Sequence, residues 1–295
     1  MGIWRISMLG AEAVQSWRGD KVDLPDNFWL LLGHLLANSR RRINRAQLAG
    51  ELWPERSEES ARHCLASALW RIRKLIPCFG DLLVSEGEGL ALRSRRDIWI
   101  DSLAFETRAR QLLRQPELHD PASRARYKRT ITSYTGDFLL GREGEAIAVE
   151  RERLRALYLD AGYQLACTFA RYGEWQDTLE ICRSLCAAEP LREDVQRLLI
   201  EACLASGNRA LAVQQYHGFA RYLASELQVE PMAETRALIS QIVAPPRTNP
   251  PHAEPLPFDR LASPPRDAGE ARSILLQARA QMVSTLSLID SALAR

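Results

Sequence analysis

The period of apolar positions changes several times along the chain. Ile3 to Leu9 (IWRISML) alternates and predicts a strand, and Val22-Asp23-Leu24 predicts a second short one, stopped by Pro25. The next stretch, FWLLLGHLLAN from Phe28 to Asn38, is almost continuously apolar, as a largely buried helix would be. Asn44 followed by Gln47 has the form of a capping box and predicts a short helix from Arg45 to Leu52. Ser57 is then an N-cap, with Glu58 and Glu59 in the first turn, where the helix dipole favours anions. This helix runs to about Ile76 and stops before Pro77. LLVSEGEGLALR predicts a β-hairpin turning at Gly87 and Gly89, and IWID (Ile98 to Asp101) adds one more strand. Three helices and a hairpin, with strands in front, is the element order of a winged helix-turn-helix.

From Asp101 to Val243 the pattern is helix after helix, and an internal repeat appears. ARYGEWQDTLEIC aligns with LASGNRALAVQQY, placing Gly173 over Gly207, Leu165 over Leu199, Thr178 over Ala212 and Leu179 over Val213. A period of about 34 residues, glycine at the inter-helix turn, small packing residues and a proline (Pro190) after the second helix make up the tetratricopeptide signature. Thr178 departs from it, holding a place usually given to alanine. Two repeats cannot stand alone as a solenoid, so flanking helices near 145–171 and 230–243 are expected to cap the stack. The expected fold is mainly α: a winged helix-turn-helix with small β-sheets over residues 1–100, then a tetratricopeptide-like helical domain over 101–243. Eight of the fifteen prolines fall between Ala244 and Pro265, which predicts an extended linker over 244–269. Leu275, Met282, Leu286, Ile289 and Leu293 then recur at helical spacing, predicting an amphipathic helix over 270–295.

The helix after Ser57 has two unlike faces. With Leu65 at the centre of one, Ala61, Leu69, Ile72 and Ile76 lie within about 40° of it. The opposite face carries Ser60, His63, Ser67, Trp70, Arg71 and Lys74, flanked by Arg62 and Arg73. For an arbitrary helix this would be a solvated surface. Here a short helix and tight turn precede it and a hairpin follows, the setting of a recognition helix. The major groove of B-DNA, about 12 Å wide, admits such a helix. Arginine can then pair with guanine edges, Ser67 can contact base or phosphate, and Trp70 can pack on sugar or thymine methyls. Arg41 and Arg42, in the basic connector before the first helix of the motif, are placed to meet phosphates.

Charge makes any such footprint local. The 295-residue chain carries a net charge of +2, and residues 1–100 hold 15 Lys and Arg against 12 Asp and Glu. No apolar run approaches the roughly 20 residues of a membrane span, and the N-terminus lacks the form of a secretory signal, so a cytoplasmic protein is expected. Six cysteines do not form a disulfide framework. Cys182 and Cys186 share a helix face, but no CxxC pair or nearby histidine completes a zinc set, so these thiols are expected to be reduced packing residues, as is Cys203. Nucleotide-binding glycine loops, HExxH and GxSxG are absent from the sequence; no cofactor, metal or catalytic constellation is expected.

These segments resemble the Streptomyces antibiotic regulatory protein family of transcriptional activators, which join an OmpR-like winged helix to a bacterial transcriptional activator domain. The matching stretches in the first domain are RINRAQLAGELWPERSEESARHCL and LWRIRKL. In the second they are YTGDFLLG, ERERLRALYLDAGYQLA, EPLREDVQRLLIEACLASGNRALAVQQY and ELQVEP. The resemblance covers about residues 1–243. It implies a cytoplasmic, nucleoid-associated activator that binds double-stranded DNA at direct repeats and recruits RNA polymerase; a homodimer on the DNA is compatible with that arrangement. It also implies a recognition helix from Ser60 to Leu75 and a wing from Leu82 to Leu92. Departures are local: Leu90 and Ala91 stand where the family's wing often has Tyr-Arg, Glu86 and Glu88 make the wing acidic, and Ala66 and Trp70 occupy positions often polar or basic. Gln228 replaces the usual glycine of ELGxEP. The DNA-contacting set read from the sequence is therefore Arg62, His63, Ser67, Trp70, Arg71 and Lys74, with Arg41 and Arg42 on phosphates. The acidic wing and low charge of the first domain motivate an alternative, an interaction adaptor whose winged domain no longer binds DNA.

Overall fold

In the computed structural model, which describes residues 2–38, 42–87, 89–93 and 97–243, strand β1 (Trp4–Ser7) lies at the centre of a three-stranded sheet. It pairs antiparallel with β2 (Ala13–Gln15) and parallel with β6 (Ile98–Ile100), so that Arg5 faces Gln15 on one side and Trp99 on the other. The alternation turns Ile6, Val14 and Ile100 into the core. The expected second strand at Val22–Leu24 is corrected. Ala13–Gln15 takes that place, and the later segment only flanks it, Val22 donating its N–H to the Val14 carbonyl. A three-residue strand with one inward side chain carries too little alternation to be read in advance.

Helix α1 (Asp26–Ala37) buries Phe28, Leu31, Leu32 and Leu35, as its apolar run dictates. β3 (Ile43–Asn44) leads into α2 (Arg45–Leu52), where the Asn44 side chain accepts from the N–H groups of Ala46 and Gln47. Only half of the capping box forms: the Gln47 amide donates forward to Glu51 at 2.8 Å instead of returning to Asn44. α3 (Glu58–Leu75) begins at Ser57, whose hydroxyl accepts from Ser60 N–H. A four-residue helix α4 (Phe79–Leu82), not foreseen, turns the chain into β4 (Leu83–Glu86) and β5 (Gly89–Leu92). Gly87 makes the hairpin turn at φ +58°, whereas Gly89 already pairs with Glu86. β3 completes a second sheet in the order β3-β5-β4.

The remaining helices are α5 (Asp101–Arg114), α6 (Pro121–Thr132), α7 (Glu145–Arg171), α8 (Trp175–Ala188), α9 (Glu193–Ala205), α10 (Arg209–Glu226) and α11 (Ala233–Val243). The 34-residue repeat is visible bond by bond at two helix ends. After α7, Glu174 N–H bonds the Phe169 carbonyl and Gly173 N–H that of Ala170; after α9, Asn208 bonds Cys203 and Gly207 bonds Leu204. Both are Schellman caps, with the glycines left-handed at φ +73° and +77°. Thr178 replaces alanine at no polar cost, because its fully buried hydroxyl donates to the Glu174 carbonyl. Cys182 and Cys203 are buried and all six cysteines are free thiols. Burial pushes the Cys186 thiol up to about 12. The proline-rich segment 244–269 and the helix expected over 270–295 lie outside the described residues.

The two halves are joined through the chain from Tyr134 to Gly144. Leu9 and Phe138 form a bridge, Gly10 N–H donates to Asp137, Leu139 N–H donates to Met8, and the Thr135 hydroxyl donates to the Leu9 carbonyl at 2.7 Å. The Asp101 carboxylate accepts from both Met8 N–H (2.8 Å) and Leu9 N–H (3.0 Å). Arg142 reaches Glu12 in the β1–β2 turn and Asp26 at the start of α1. Gly33 of α1 lets Leu139 and Ile147 approach so closely that an added Cβ would lie 2.7 Å from Leu139 Cδ1. One continuous apolar cluster, from Ile6 to Ile239, runs through both halves.

Candidate nucleic-acid interface

α2, the turn at Trp53–Ser57 and α3 form the helix-turn-helix, with β4–β5 beside it. α3 is held by its inner stripe: Ala61, Leu65, Ala68, Leu69 and Ile72 are buried, as is Ile76 just beyond its end. The outward face is uncovered. Arg62, His63, Ser67, Trp70, Arg71 and Lys74 are all exposed, and so is Arg73. Ser60, assigned to that face from the pattern, is half-buried in the first turn. The helical half meets the first through the end of β1, the β1–β2 turn and α1, and leaves α3's outer side open.

Helical geometry divides these side chains into two sets. The direction opposite the buried stripe is shared, within about 35°, by His63, Ser67, Trp70 and Lys74, which form a ridge along the helix. Arg71 lies about 75° to one side of that ridge, and Arg73 and Arg62 about 85–105° to the other. A helix entering a groove presents its ridge to the floor and its flanks to the walls. The ridge holds the indole and one ammonium: Lys74 Nζ sits over the Trp70 ring, 5.4 Å from its centroid, and Trp70 is 60% exposed. Arg62 is tied to Glu58 by a 2.7 Å ion pair, so part of its charge is already matched within its own helix. Arg42 is exposed just before β3, apart from the α3 set; Arg41 lies outside the described residues, and so does Glu88 of the acidic wing tip.

Arg73 was not among the residues chosen from the sequence, yet its exposure and flank position equal those of Arg71. The angular count could have found it; attention to the outermost face alone passed it over. Among the described residues no group of three or more His, Cys, Asp or Glu side chains is placed to hold a metal ion.

Known proteins bear on this arrangement at three levels. Residues 100–243 match the family model for the bacterial transcriptional activator domain. The regulatory protein AfsR of Streptomyces griseus is 29% identical over 246 residues, and that of Streptomyces coelicolor 28% over 259. Those alignments cover 81% and 82% of this chain but 24% of each relative, so the chain spans about a quarter of their length. The solved structure of Mycobacterium tuberculosis EmbR in complex with a low-affinity phosphopeptide superposes with a TM-score of 0.62 at 19% identity, over 94% of this chain and 72% of that one, a likeness of fold. With a bacterial transcriptional activator domain at 100–243 and a winged helix-turn-helix before it, the chain belongs to the Streptomyces antibiotic regulatory protein type.

Proposed function

We propose that the chain is a sequence-specific DNA-binding transcription activator whose α3 enters the major groove. The observation that carries this reading is the outward face of α3, cationic and uncovered while the helical half is docked elsewhere. In it, Arg71 and Arg73, with Arg42 and Arg41, neutralise phosphates and set the register; His63, Ser67, Trp70 and Lys74 face base edges. Arg62 joins the phosphate set once it leaves Glu58. The helical domain (101–243) is then the part that contacts RNA polymerase or a second protomer bound to a neighbouring direct repeat. A regulator of this kind works by binding alone, in the cytoplasm and on the nucleoid; among the described residues no helix is long and apolar enough to cross a membrane.

Fluorescence anisotropy with the full chain and a duplex from upstream of its own operon tests the reading. Binding that is saturable, outcompeted poorly by unrelated DNA, and weakened steeply by salt is the expected result. Undetectable binding at low salt would refute it. The adaptor reading draws support from a groove of about 360 Å³ between α9 and α10, lined by Pro190, Gln196, Gln215, Phe219 and Tyr222. It predicts capture of a stable protein partner by a chain that retains no DNA.

A further inference from the structure

Trp70 is out of place for a surface that only needs to be soluble. An indole more than half exposed leaves apolar area in water, and no apolar neighbour in its own domain takes it up. The one group set against its ring is the Lys74 ammonium, which leaves the rest of the ring open. Its place on the helix is specific: about 25° from the outermost line, between Ser67 and Lys74, with Arg71 a quarter-turn aside. A side chain there meets the floor of a groove, whereas sugars and phosphates form the walls that the flanking arginines reach.

We infer that Trp70 is a specificity-determining residue that reads thymine by packing on its C5-methyl group. This inference rests on the DNA-binding reading above. The chemistry follows from what an indole offers. It has one N–H donor and no acceptor, so it cannot make the paired donor-acceptor contacts by which Arg, Asn or Gln distinguish guanine or adenine. Its remaining surface is apolar, and the apolar feature of a base pair in the major groove is the thymine methyl. Stacking between bases would require the indole to push through the groove floor, which a side chain anchored on an inserted helix and covered by Lys74 does not reach. The preferred site therefore contains a thymine whose methyl is buried under the ring, placed between the positions met by Ser67 and Lys74.

Uracil removes this methyl and leaves base pairing intact, so the test needs no foreknowledge of the operator. A random duplex pool is enriched on the full chain, and the enriched duplexes are remade with deoxyuridine at every thymine and then at single thymines. Affinities are measured for the wild type, Trp70→Ala and Trp70→Leu, with thermal melting to confirm that each variant folds. The expected result is about a fourfold loss at one thymine per bound copy, the transfer value of one buried methyl. That loss should vanish in Trp70→Ala and persist in part in Trp70→Leu, which keeps an apolar contact. Trp70→Ala weakening methylated and uracil duplexes equally, with no uracil effect in the wild type, would place the ring on sugar and overturn the inference. So would a uracil effect that survives Trp70→Ala, since another group would then read the methyl. Absence of any salt-dependent binding to the unmodified pool removes the DNA-binding reading itself, and this inference with it.

Discussion

Replacement of Arg71 by alanine separates phosphate contact from base reading. Its Cβ points about 75° from the ridge of α3, toward a groove wall, and the guanidinium is exposed. A wall contact neutralises one phosphate, and each phosphate contributes about 0.9 to the slope of log K against log salt. Arg71→Ala should lower the magnitude of that slope by about one unit. Between about 50 and 200 mM salt, log salt changes by about 0.6, so the wild type should lose about 3.5-fold more affinity than the variant over that interval. The two proteins converge as salt rises, and the ranking of duplex sequences stays the same. Anisotropy titrations at four or five salt concentrations, on the preferred duplex and on single-base variants, measure both quantities. An unchanged slope together with a relaxed preference at one base pair, worth about 1–3 kcal/mol, would show Arg71 on a base edge. The division of α3 into floor-facing and wall-facing residues would then be wrong.

Three further outcomes concern the scaffold. Asp101→Ala strands two buried N–H donors, those of Met8 and Leu9; at about 1–3 kcal/mol each the loss should be near 3 kcal/mol, read by urea unfolding, and a loss below about 1 would contradict the bonding described. Gln228 sits left-handed at φ +56° just after α10, so Gln228→Gly should raise stability by about 0.5–1 kcal/mol, visible as a higher denaturation midpoint, while a lower midpoint would refute the strain. Burial pushes the Asp194 carboxyl up, but the paired bond from Arg192 prevails and holds it below its ordinary value of 3.8. The unfolded chain therefore takes up this proton first as pH falls, so the contribution is complete above about 4 and lost with further acidification. The stability gap between wild type and Arg192→Ala should be constant near neutrality and narrow below pH 4; a gap independent of pH would rule out that linkage.

Much of this architecture was legible in the residues. The caps at Asn44 and Ser57 fixed two helix starts, because a short polar side chain before an apolar stripe has few other roles. The recurrence of Gly173 at Gly207 announced two identical helix ends, and Leu65 at the centre of a stripe told which side of α3 would face outward. Short elements escaped: β2, β3 and α4 each contribute one or two inward side chains, too few for a period. The join between the halves escaped for another reason. Its bonds link backbone atoms more than 90 residues apart, at Asp101 to Met8 and at Thr135 to Leu9, and main-chain partners leave no mark in side-chain pattern. YTGDFLLG was visible as a family stretch, but its task of bonding the end of β1 was not. Gln228 was legible as an exception to that family's glycine, and the left-handed backbone there accounts for the family's choice.

That join limits how the chain can be re-engineered. A transplant cut at residue 100 would part Met8, Leu9 and Gly10 from their acceptors and donors, strip Gly33 of the side chains it admits, and leave Glu12 facing no guanidinium. A graft confined to the ridge of α3, at His63, Ser67, Trp70 and Lys74, touches none of these. New operator preferences should therefore be sought by rewriting four exposed side chains on an intact frame, not by exchanging modules.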